Sequence, residues 1–128
     1  MKIFLAGATG AIGRRLTPLL VAAGHHVTGM TRNPASADAL EKAGISTALV
    51  DVFDADALKT AMVDAAPEVV MHQLTDLPRV LENENQLAAA YPRNARIRLH
   101  GTRNLFPAST TKAAPIWRWR CSSAMSGW

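Results

Sequence analysis

The segment "FLAGATGAIGRRL", residues 4–16, decides how the rest of the chain is read. A short apolar run, "KIFLA" at 2–6, meets three glycines, Gly7, Gly10 and Gly13, spaced G-x-x-G-x-x-G. A helical pattern follows at once, with apolar residues at Ile12, Leu16, Leu19, Leu20 and Ala23. Glycine permits a tight turn, and the missing side chain lets a ligand approach the backbone. The free N–H groups and the dipole at a helix N-terminus favour negative charge. A glycine triplet alone is a weak signal. Between a strand and a helix it describes a cradle for a pyrophosphate. The competing use of the same residues is a tight strand-to-helix turn with no ligand.

The rest of the chain repeats the strand–helix alternation. Gly24 ends the first helical pattern (12–24), and Pro18 sits inside it. "HVTGM" (26–30) reads as a second strand. "NPASADALEKAG" (33–44) reads as a helix with an Asn cap, Pro at its first position and Gly at its end. "ISTALV" (45–50) is a third strand, and "DADALKTAMVDAA" (54–66) a helix stopped by Pro67. "EVVMH" (68–72) is a fourth strand. Residues 86–111 read as a longer helix, broken at Pro92 and ended near Pro107, and "PIWRWRCSS" (115–123) as a fifth strand. This predicts an α/β fold, a Rossmann-like parallel sheet of four or five strands in order 3-2-1-4-5, flanked by helices.

At 128 residues the chain is expected to form one domain, with 107–128 as an atypical tail that carries all three tryptophans and the single cysteine, Cys121. One cysteine excludes an internal disulfide framework and a Cys-based zinc site, and no metal is expected. No apolar run is long enough to span a membrane, and "MKIFLAGATG" lacks the pattern of a signal peptide, so a cytoplasmic location is expected. The net charge of +4 suggests an anionic partner. The "RNARIRLHGTR" run (93–103) reads as a solvated helix face rather than a nucleic-acid surface.

The glycine spacing resembles that of the short-chain dehydrogenase/reductase superfamily. "GATGAIGRRL" is most similar to its extended or atypical branch, the NAD(P)-dependent epimerase/dehydratase-like proteins. The resemblance covers residues 1–106 and is incomplete after that, as for a truncated member. It implies that Gly7, Thr9, Gly10, Ala11, Ile12 and Gly13 form the pyrophosphate loop. "DVFDADAL" resembles the family segment in which an Asp meets the adenine, which points to Asp51, with Val52 beside the ring. Capping of the next helix is the other use for Asp51 and Asp54. "VVMHQLT" resembles the fourth-strand end whose backbone passes the cofactor ribose, which points to His72, Gln73 and Leu74. "HGTRNL" (100–105) resembles the family helix motif G-T-x-N-L, but Arg98 stands where the family often has Asn.

Cofactor choice is read at the end of the second strand. An NAD-selective fold places an acid there for the ribose 2′-hydroxyl. Here "GMTRNP" offers Arg32, a guanidinium suited to a 2′-phosphate, with Thr31 and Arg14 as helpers. NADP is favoured over NAD.

Catalysis in the family uses a Tyr with a Lys four residues later. The only tyrosine is Tyr91, and Ala95 follows at that spacing. "CSSAMSGW" (121–128) weakly resembles the family turn that carries an active-site Ser, with Ser123 in its place. The expectation is a cofactor-binding domain of an oxidoreductase, epimerase or dehydratase that is catalytically incomplete. The product of a truncated or frame-shifted gene and a naturally minimal domain both fit, as does a non-catalytic NADP(H) sensor. An apolar sheet edge predicts self-association into a homo-oligomer.

Overall fold

The structure, a computed structural model, describes residues 1–78, 80 and 84–109. The expected fifth strand, Ser123 and most of the atypical tail lie outside the described residues.

Among the described residues four strands form, β1 (Lys2–Ala6), β2 (His26–Thr31), β3 (Ser46–Leu49) and β4 (Val69–His72). All pairings are parallel, in the order β3-β2-β1-β4. The helices are α1 (Gly13–Ala22), α2 (Pro34–Lys42), α3 (Ala55–Ala65) and α4 (Glu84–Ser109).

Side-chain alternation along β1 splits the core into two layers. Phe4 and Ala6 point to one face, where they join Met30, Ala48, Leu58 and Met62 of α3, and Ile97 and Leu105 of α4. Leu5 points to the other face and meets Val27 and Ile45, with Leu16 and Leu20 of α1 and Leu40 of α2 packed against them. Burial on both faces accounts for β1 being apolar after Lys2, with no polar alternation.

Local chemistry sets the helix ends. Asn33 Oδ1 accepts from the Ala35 N–H at 2.9 Å, and Pro34 opens α2. Asp54 Oδ1 accepts from the Ala57 N–H at 3.0 Å and opens α3. Ala66 ends α3 in the left-handed region at φ 41°, directly before Pro67. α1 differs, because no side chain caps its N-terminus.

Three prolines do less than the sequence suggests. α1 runs through Pro18, whose ring faces solvent. α4 runs unbroken through Pro92 and Pro107, which corrects the expected break and end. At Pro92 the ring is exposed, and so is Ala88, whose carbonyl loses its helical donor, so water is available to it.

Chain direction creates the site. From the central β1 the chain steps outward to β2 and β3, then crosses back to place β4 on the other side of β1. The connections leaving β1 and β4 therefore diverge, and the topological switch point, where open sheets of this kind form their ligand crevice, falls at the carboxyl ends of these strands.

Candidate functional site at the carboxyl end of the sheet

The glycine loop fills the mouth of this crevice. Gly7 has φ +96°, and a Cβ there would lie 2.7 Å from the Gln73 carbonyl oxygen just beyond β4. The Gly10 N–H donates to the Gly7 carbonyl at 3.0 Å and closes the turn. Gly13 is pressed against the strand end, so that a Cβ would fall 2.1 Å from the Gly7 oxygen and 2.6 Å from that of Ala8. Gly10 is the least crowded of the three, since its Cβ would meet only the Gly7 oxygen, at 3.3 Å. Two glycines are thus fixed by the fold, while the middle one is free to serve a ligand. Thr9 and Gly10 are half-exposed, and Ala11 and Ile12 are exposed. The Thr9 carbonyl accepts from Arg14 Nε at 2.9 Å, which ties the side of the loop to α1.

The other predicted positions lie along the same edge. Met30 is in register with Ala6, so Arg32 emerges from β2 beside the start of the glycine loop, and its side chain is exposed. Thr31 is buried, and its hydroxyl accepts from the Asn33 N–H at 3.2 Å. It builds the turn that presents Arg32. Asp51 is half-buried, and its Oδ1 accepts from the Phe53 N–H at 2.9 Å. Helix capping falls to Asp54 alone, so Asp51 shapes the turn around Val52.

Val52 is held from the other side. Its carbonyl accepts from Asn104 Nδ2 at 2.9 Å, and a Cβ on Gly101 would lie 3.3 Å from its side chain. The G-T-x-N-L segment of α4 therefore docks the β3–α3 loop through Gly101 and Asn104. The motif contains Asn104, but its partner 52 residues earlier is visible only in three dimensions. That bond supplies a helix-to-loop tether despite Arg98.

His72 closes β4 in register with Ala6, and the next N–H, that of Gln73, donates to the Ala6 carbonyl at 2.8 Å. His72 Nδ1 accepts from the Leu74 N–H at 3.2 Å. Its Nε2 is shut off from solvent with no partner among the described residues, 3.6 Å from where a Gly101 Cβ would sit. Burial, aided by the Arg98 guanidinium, lowers the His72 pKa below the ordinary histidine value. The imidazole is therefore neutral at pH 7.

Other candidates separate from the crevice. Tyr91 is exposed on α4, with Ala95 one turn later. Within the arginine run, Arg93 pairs with Asp76 at 3.4 Å, and Arg96 lies 4.3 Å from the centre of the Phe53 ring. Among the described residues no group of three or more His, Cys, Asp or Glu side chains is placed to hold a metal. No described helix is long and apolar enough to cross a membrane.

Comparison with known proteins agrees with this geometry. Residues 7–114 match the model of a family described as NAD(P)H-binding. A 3-diazoavenalumate denitrifying reductase from a Streptomyces species is 37% identical over 114 residues, which make up 89% of this chain and 35% of the relative. The UDP-glucose 4-epimerase of Thermus thermophilus, solved with NAD, superposes with a TM-score of 0.67 at 21% identity, over 84% of this chain and 33% of that one. Yeast methylglyoxal/isovaleraldehyde reductase, solved with NADPH, gives a TM-score of 0.66 at 19% identity, over 91% and 36%. The chain spans about a third of the length of these proteins. With its glycine loop, four-stranded parallel sheet and matched segment, the chain belongs to the family described as NAD(P)H-binding.

Proposed function

We propose that the chain is a dinucleotide-binding domain that takes NADP(H) in preference to NAD(H). The observation that carries this reading is the cradle at the start of α1. Its walls, Gly7 and Gly13, leave no room for a side chain, and the helix behind it has no side-chain cap. Such an arrangement leaves N–H donors and the positive end of the helix dipole for a pyrophosphate. In this reading Thr9, Gly10, Ala11 and Ile12 line the pyrophosphate and Arg32 takes the 2′-phosphate. Asp51 and Val52 border the adenine, and the His72–Gln73 backbone lies along the ribose. A bound nicotinamide supplies hydride exchange at a carbinol or carbonyl carbon.

The reductase and epimerase relatives support an oxidoreductase or epimerase setting for this domain. Tyr91 without a Lys four residues later supports a domain that is catalytically incomplete as it stands. The second reading, a non-catalytic NADP(H) sensor, rests on the same feature. Calorimetric titration with NADPH and NADH tests the cofactor assignment. Tighter NADPH binding that Arg32→Ala reduces to the level of NADH supports it. A folded protein that binds neither nucleotide overturns it. Turnover of carbonyl substrates by the isolated chain with NADPH would overturn catalytic incompleteness.

A further inference from the structure

His72 does more than end a strand. Its Nδ1 accepts the Leu74 N–H, so the neutral ring carries its proton on Nε2. That nitrogen is enclosed against Gly101 of α4. The hydrogen bond bends the chain leaving β4 into a turn, and the Gln73–Leu74 peptide of this turn is what Gly7 packs against. A Gly7 Cβ would lie 2.7 Å from Gln73 O and 3.0 Å from Leu74 N. One imidazole thus braces the backbone that backs the first glycine of the phosphate loop.

We propose that His72 is a positioning residue for the dinucleotide, holding the Gln73–Leu74 turn against Gly7 only while its ring is neutral, so that cofactor binding and His72 protonation oppose each other. This rests on the dinucleotide reading of the site. A second proton on the ring must go to Nδ1, where it confronts the Leu74 N–H, and two donors then face each other. Among the described residues, only burial and the Arg98 charge are recorded as acting on the ring. From α4 the neighbours are Gly101 and Arg98, and the Arg98 charge itself opposes protonation. From β1 the neighbour in register is Ala6, and from the β3–α3 loop Val52 meets the same Gly101. Asp51, one residue before Val52, is turned onto the Phe53 N–H. Asp76, two residues past Leu74, is paired with Arg93. Both acids already have partners.

The test is NADPH affinity between pH 5 and pH 8, with NMR of the ligand-free chain. By linkage, affinity should fall by up to about tenfold per pH unit below the His72 pKa. The Leu74 amide of the free chain should shift with the same midpoint as the His72 ring. His72→Asn keeps an acceptor that can form the same turn and does not titrate, so its affinity should lose the part of the pH dependence that the ring supplies. His72→Leu removes the acceptor and should bind weakly at every pH while still folding, as judged by circular dichroism. A His72→Asn chain that keeps the wild-type pH slope overturns the proposal, as does a Leu74 amide indifferent to the ring. If NADPH binds at no pH, the dinucleotide reading fails, and the Leu74 shift alone still judges the brace.

Discussion

Gly13 Cα faces the Gly7 carbonyl so closely that a methyl group on it would lie 2.1 Å from the oxygen. This contact lets α1 start directly behind the end of β1. Gly13→Ala must push the helix away from the strand, and overpacking of this kind costs about 1–3 kcal/mol. A fall in thermal midpoint with loss of nucleotide binding is expected. An unchanged midpoint would mean that the helix can slide.

Gly10 should behave in the opposite way. Its Cβ would meet one oxygen at 3.3 Å, a distance that a small shift relieves. Gly10→Ala is expected to fold with stability within about 1 kcal/mol of wild type, the scale of a mild glycine substitution. Binding should nevertheless weaken if the pyrophosphate approaches Gly10 as proposed, because the methyl group would stand in its way. Denaturant melts and calorimetry on the same sample separate the two effects. Parallel losses at Gly10 and Gly13 would assign both to the turn and neither to a ligand.

Arg32 is exposed and sits within the turn that Thr31 and Asn33 close, so replacing it should leave the fold intact. A charge-assisted hydrogen bond contributes about 1.5–3 kcal/mol, so Arg32→Ala should weaken NADPH binding by roughly ten- to a hundredfold. NADH, which lacks the 2′-phosphate, should be little affected. Arg32→Asp should bind NADH better than NADPH, since an acid there suits a free 2′-hydroxyl and repels a phosphate. Equal losses for both nucleotides would remove Arg32 from the selectivity role.

The sequence made these positions visible because each depends on a short-range rule. Three glycines at fixed spacing, an Asn-Pro cap and an Asp cap are local signatures, and the structure has all of them. The order β3-β2-β1-β4 follows from strand–helix alternation with crossover connections. What the sequence does not reveal is nonlocal or set by exposure. Pro92 looked like a helix break because proline removes a donor, but the carbonyl it leaves open belongs to exposed Ala88. The strand-end position of Thr31 does not reveal that its buried hydroxyl accepts from the Asn33 N–H. Asn104 was a letter in a motif until the fold set it against Val52.

His72 also predicts how stability varies with pH. Its folded pKa is lowered by burial and by Arg98, whereas the unfolded chain has the ordinary value of about 6.5. Below that value the unfolded state takes up the proton first. The contribution of His72 to stability is therefore complete above about pH 6.5 and is lost as pH falls through the folded pKa. Denaturant melts should show a decline over this window that His72→Asn reduces. A wild-type curve flat from pH 7.5 to 5 would mean that the ring charges freely in the folded state.

Asn104 offers a test of the adenine side that is independent of the glycine loop. Its Nδ2 donates to the Val52 carbonyl from a half-buried position on α4, and Gly101, one turn earlier, packs on the same residue. Asn104→Ala leaves that carbonyl without its donor, and an unmade bond of this kind costs about 1–3 kcal/mol. The loop carrying Asp51 and Val52 would then lose its hydrogen bond to α4 and keep only its packing against it. Lower stability and weaker binding of both NADPH and NADH are expected, since the two share the adenine. Adenosine monophosphate, which has no second phosphate or nicotinamide, should lose affinity by a similar factor. If binding of that fragment is unchanged while the fold is destabilised, Asn104 serves the packing of α4 alone, and the adenine subsite must be sought away from Val52.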